Sequence, residues 1–139
     1  MSNKINKFSY LCGTIKRTLK NTRKETLLKF YKVMAVPLIL YGSEFWTLTK
    51  AQERRIEAVE MKFLRSVAGY TRLDMRRNED IREELNIFKL NDKIKEYRVN
   101  WLEHVERMDR ERAPKVLLKY RPRGRRNVGR PRKRWRDQL

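Results

Sequence analysis

The sequence predicts an all-α chain: a small, irregular bundle of about five helices with a basic, largely disordered C-terminal tail. Three observations predict it. Only five glycines and four prolines interrupt 139 residues, 40% of the chain is hydrophobic while 38% is charged, and apolar residues recur every three or four positions. That spacing lines up one face of a helix. A chain of this length has apolar surface for one modest core and not for two. The helical domain is therefore assigned to residues 1–120 and the tail to 121–139.

In chain order, Ile5, Phe8, Leu11, Cys12, Ile15 and Leu19 fall on one stripe of a first helix, with Lys7, Lys16 and Arg17 facing outward. Thr22 and Glu25 have capping-box spacing and should open a second helix carrying Leu27, Phe30, Tyr31, Met34, Leu38 and Tyr41. Pro37 is expected to kink or break it. Gly42-Ser43 makes a turn, and Phe45 to Leu48 a short aromatic connector that plugs the core. Thr49 and Gln52 form a second capping box ahead of Ile56, Val59, Phe63, Leu64 and Val67, with Gly69 as the closing residue.

Residues 70–77 lack periodicity and read as a loop. Asn78 is placed as the cap of a short helix ending at Leu85, and Asn91 as the cap of a longer one that turns Ile94, Tyr97, Trp101, Val105 and Met108 inward. Pro114 opens a last short helix through Tyr120.

A formal charge of +19 is far beyond what solubility requires, and a compact body carrying it repels itself unless a polyanion relieves the strain. The charge is uneven. Arg121 to Leu139 holds nine cations against one acid, Met1 to Thr22 five cations and no acid, and Tyr70 to Arg110 ten of each. Cations thus sit at the two ends rather than around the middle helices. A membrane surface would ask for a basic helix with a strong apolar face or a lipid anchor. Met1-Ser2-Asn3 starts no myristoylation signal, Met1 to Asn6 carries no secretory pattern, and the apolar run Val33 to Tyr41 is too short to span a bilayer. The expected partner is RNA and/or DNA, with no membrane and no small-molecule substrate. Cys12 is the only cysteine, which excludes an internal disulfide and fits a reducing compartment, nucleus or cytoplasm.

Guanidinium groups match phosphate oxygens bidentately, and each phosphate neutralised releases condensed counterions. The residues assigned to phosphate contact are Arg121, Arg123, Arg125, Arg126, Arg130, Arg132, Lys133, Arg134 and Arg136, with Lys16, Arg17 and Lys20 as a second patch. Gly129 to Lys133 resembles the core of an AT-hook, which lies in the narrow minor groove, although Val128 stands where a basic residue usually precedes the glycine. A general electrostatic clamp and a nuclear-localisation run fit the same residues. Trp135 could stack on an unpaired base.

No catalytic residue, metal or cofactor is expected. Asp80, Glu83 and Glu84 lie among Arg76, Arg77 and Arg82 and read as a salt-bridged surface, and the chain has neither an Asp-Asp pair nor a phosphate-cradling glycine loop. His104 has no second histidine and reads as a partly exposed helix residue, and Cys12 as core. Tyr31, Tyr41, Phe45, Trp46, Phe63 and Trp101 are likewise expected in the core.

Lys29-Phe30-Tyr31, Pro37 through Glu44 with Trp46, Glu60 through Arg65, Asn78 through Arg82, Trp101 with His104 and Arg107-Met108-Asp109, and finally Gly129 through Trp135, appear in an order that resembles non-LTR (LINE-type) retrotransposon polyproteins downstream of the reverse-transcriptase palm. The likeness covers nearly the whole chain. It implies a helical thumb and C-terminal extension that grips template and primer beside an upstream polymerase domain. The family's nuclease and polymerase carboxylates have no counterpart here, so the resemblance carries over no catalytic residue. It also implies a truncated copy or a reading frame split from its enzyme. Two further readings stay open: a free-standing AT-hook-like DNA binder, and a decayed reading frame without a selected role.

Overall fold

A computed structural model of the chain describes residues 2–120, 128–129 and 134–139. Among the described residues there is no strand, and the architecture is a small all-α bundle.

Helix α1 (Ser2–Thr18) buries Ile5, Phe8, Cys12 and Ile15, the predicted stripe. The Thr22 hydroxyl then donates back to the Leu19 carbonyl at 2.8 Å. Its short side chain closes the end of α1, so the predicted capping box at Thr22 does not form. Helix α2 (Lys24–Phe30) starts instead from Arg23, with no side-chain cap among the described residues.

Helix α2 runs without a break through a π turn (Tyr31–Ala35) into α3 (Val36–Leu40). A proline ring meets the carbonyl four residues earlier, here that of Val33, and has no N–H to offer it. The wider turn absorbs both defects, so Pro37 neither breaks nor ends the rod. It also shifts the buried face. Leu27, Tyr31, Ala35 and Ile39, each four apart, point inward, while Phe30, Met34 and Tyr41, placed inward by a regular helical count, are exposed.

Helix α4 (Lys50–Ala68) is the central element. Its predicted capping box is present, with Gln52 N–H bonded to the Thr49 hydroxyl and Thr49 N–H to the Gln52 side chain. Gly69 closes it at φ 85°, in the left-handed region that favours glycine. Ile56, Met61, Phe63, Leu64 and Val67 are buried. The Phe63 ring stacks on the fully buried Tyr31 at 5.0 Å, and the Phe8 ring is tilted against the same tyrosine at 6.3 Å. One column of rings thereby joins α1, the π turn and α4.

The connector from Gly42, itself at φ 68°, makes a 3-10 turn (Ser43–Phe45). Leu48 is the residue that enters the core there. Phe45 is 59% exposed and lies edge-on to Trp101 at 5.0 Å, and Tyr41 is 81% exposed, so neither is the core aromatic that was expected. What holds the connector is Arg98, buried on α6 (Leu90–Arg107), whose guanidinium donates to the Trp46 carbonyl. The inward face of α6 is therefore Leu90, Asn91, Ile94, Arg98 and Val105, with Tyr97 displaced outward.

Between α4 and α6 lies α5 (Asn78–Glu84), and here three polar expectations give way to bonds with α4. Arg82 is buried rather than a surface partner of Asp80, Glu83 and Glu84: it donates to Glu60 at 2.7 Å and to Glu57 at 3.0 Å. The second oxygen of Glu60 accepts the backbone N–H of Leu90, the first residue of α6, at 3.2 Å. Glu60 thus places a carboxylate where the helix dipole favours one, and caps α6 from a different helix. Asn91 does not cap. Its amide donates to the Glu53 carbonyl at 3.0 Å, and Asn78, the other expected cap, accepts from Arg65 at 2.8 Å. Helix α7 (Ala113–Lys119), opened by Pro114 near its start, packs on α6 without burying a residue.

Candidate nucleic-acid interface

The predicted cations Lys16 and Arg17 occupy the last turn of α1, and Lys20 follows just beyond it, all exposed. By sequence these three form a second patch besides the tail. In the fold, Lys16 lies on a cleft of about 1110 Å³ between α1, α4 and the loop 70–77, shared with Arg54, Lys62, Arg65, Arg72 and Arg76. Glu57 is the acid that lines it, and that carboxylate is already bonded to Arg82. Arg72 and Arg76 come from the stretch that is neutral when counted along the sequence, and the fold adds them to Lys16, Arg54, Lys62 and Arg65 on one strongly positive surface. A concave surface of one sign concentrates the field on a partner of the other.

The loop wall of the cleft is built rather than slack. The Arg65 guanidinium donates to the Arg76 carbonyl and to Asn78, both at 2.8 Å. Asp74 accepts from both the backbone N–H and the hydroxyl of Thr71, and those two bonds hold its carboxyl below the usual range. Tyr70 donates to Glu84 at 2.9 Å, a bond that raises the phenol above its ordinary pKa, and the Arg76 guanidinium lies 5.2 Å from the centre of the Tyr70 ring. Met75 sits at φ 51°, an uncommon conformation for a residue with a side chain, kept by the bonds on either side of it. The backbone that carries Arg72 and Arg76 along the cleft wall is consequently held by these bonds.

At the C-terminal end, Arg121, Arg123, Arg125, Arg126, Arg130, Arg132 and Lys133 lie outside the described residues, as does most of the expected disordered tail and of the AT-hook-like run. Arg134 and Arg136 are exposed beside a 3-10 turn (Trp135–Gln138). They line a separate hollow of about 710 Å³ with Phe45, Trp101 and Tyr120, and are not brought together with Lys16, Arg17 and Lys20. The Trp135 indole N–H donates to the Glu44 carbonyl and the ring is half-buried against the body. Its expected role as a free stacking platform is thus replaced by an anchoring one.

Cys12 is buried, as expected, and burial pushes its thiol up to about 12. His104 is exposed, its ring 5.3 Å from that of Trp101. Among the described residues no group of three or more His, Cys, Asp or Glu side chains could hold a metal ion, and no helix is long and apolar enough to cross a membrane.

Fold and cleft together define a small all-α domain with a preformed cationic groove. No family model matches the chain, and no solved structure does. The chain is similar to a protein of Caenorhabditis elegans described as transposon-derived and uncharacterized, with 28% identity over 132 residues, which covers 91% of this chain and 47% of that protein. The chain thus spans about half the length of the curated relative it matches.

Proposed function

We propose that this chain is the non-catalytic, nucleic-acid-binding C-terminal part of a LINE-type retrotransposon reverse transcriptase, acting as a thumb-like module beside a polymerase domain. The observation that carries the reading is the cleft. Six cations from α1, α4 and the loop 70–77 converge on it, and the acid among them is already bonded to Arg82. Similarity to a transposon-derived protein supports the origin. So does the way two separate stretches of the LINE-like resemblance, Glu60 to Arg65 and Asn78 to Arg82, meet in the Glu60–Arg82 pair.

In this reading the ammonium and guanidinium groups track the sugar-phosphate backbone, with affinity drawn from counterion release and little dependence on sequence. The Arg-rich stretch 121–136 adds phosphate contacts to the same template RNA or target DNA and serves nuclear entry.

The test is a salt titration of binding to labelled RNA and DNA by fluorescence anisotropy. Engagement of about six phosphates gives a slope of log affinity against log salt of about −4 to −5. Absence of binding to either polymer in dilute buffer overturns the proposal.

A further inference from the structure

Beside the cationic cleft, α1 and α4 enclose a smaller slot of about 470 Å³, within the range of about 300–1,000 Å³ typical of small-ligand sites. Its floor is apolar, formed by Cys12, Gly13, Val59 and Phe63, and its rim carries Lys16, Arg17, Lys20 and Lys62, with no acid among the described residues lining it. An apolar floor under a ring of cations is complementary to a group that is flat and apolar in the middle and anionic at its edges. Lys16, Lys62 and Ser66 also line the larger cleft, so slot and cleft form one continuous surface.

Gly13 gives the slot its depth. Glycine in the interior of a helix is unfavourable relative to alanine, yet Gly13 sits within α1 and a Cβ built on it meets nothing within 4 Å. Internal packing therefore does not require a glycine there. The missing side chain opens backbone surface to the slot instead.

We propose that the slot receives the base of one unpaired nucleotide from a strand whose backbone lies along the cleft. The π-face rests on the Gly13 backbone and the Val59 side chain, while the flanking phosphates bond to Lys16, Arg17, Lys20 and Lys62. This rests on the nucleic-acid reading above and adds a preference for single-stranded segments. Stacked or apolar-buried bases contribute in a sequence-tolerant way, because every base has a π-face.

The experiment compares binding of the full chain to a short labelled single strand and to the same strand made abasic, by anisotropy at one salt concentration. The intact strand should bind about fivefold tighter, the low end of what one base contributes. In Gly13→Leu, which fills the slot and favours the helix, the intact strand should fall to the abasic level without a lower melting temperature; Gly13→Ala should lie between. If intact and abasic strands bind wild type equally, or Gly13→Leu keeps the preference, the slot proposal is overturned while the cleft reading stands. Failure of every strand to bind overturns both. Binding to phosphatidylserine vesicles that Gly13→Leu abolishes, with strand binding untouched, would assign the slot to a lipid and equally overturn it.

Discussion

Glu60 and Arg82, 22 residues apart, meet at 2.7 Å inside the core, and the same carboxylate caps the helix that begins at Leu90. Burial pushes the Glu60 carboxyl up, and the bonds from Arg82 and Leu90 pull it back only in part. For Arg82, burial opposes the charge, but the bonds to Glu60 and Glu57 outweigh it and leave the guanidinium above its ordinary value. Removing one partner strands the other. Glu60→Ala should cost about 3–5 kcal/mol in urea unfolding, whereas Glu60→Leu combined with Arg82→Met should recover most of the loss. Additive losses in the double variant would show that the pair is not coupled.

Cys12 should resist thiol reagents in the folded chain at pH about 8 and react at once in denaturant, because burial holds its pKa near 12. The folded value lies above the ordinary 9.0, so the stability this thiol contributes is complete below pH 9 and lost as pH rises toward 12. Urea midpoints measured across that window should decline more steeply for wild type than for Cys12→Ala.

Two threonines with the same sequence signature should respond differently. Thr49 caps α4, and Thr49→Ala should lower stability by about 1 kcal/mol. Thr22 bonds backward to Leu19, so Thr22→Ala should stay within about 0.5 kcal/mol of wild type. Equal losses in thermal melts would contradict the two assignments.

Lys16 and Lys62 line both the cleft and the slot and are exposed. Alanine at either should flatten the salt slope by about 1 without lowering the melting temperature, as expected of phosphate contacts. Arg65→Ala should do more, since that guanidinium also bonds to Arg76 and Asn78 and its loss frees the loop wall.

The parts of the fold readable from sequence are those fixed by near neighbours. The stripe of α1 needs only a count of residues, and α4 is bounded by Thr49 and Gln52 at one end and Gly69 at the other, all acting within one turn. Arg82, Asn91 and Arg98 bond to groups 22 to 52 residues away, and their spacing encodes nothing about those partners. The π turn escaped a count that assumes one helical period throughout. The cleft was hidden for a related reason. Charges from Tyr70 to Arg110 cancel along the chain, but the cleft takes only Arg72 and Arg76 from that stretch and gathers Lys16, Arg54, Lys62 and Arg65 from two other helices.

Arg98 reaches back from the last long helix to the carbonyl of Trp46, so the connector after α3 is held by a residue made some fifty positions later. During synthesis the N-terminal helices emerge first but lack that cation, and also lack the Leu90 amide that Glu60 requires. The first half of the chain therefore leaves the ribosome without two bonds that its connector and α4 make in the finished fold. It reaches its final arrangement only once α6 has cleared the exit tunnel, and a nascent chain arrested before that point should remain open to proteases.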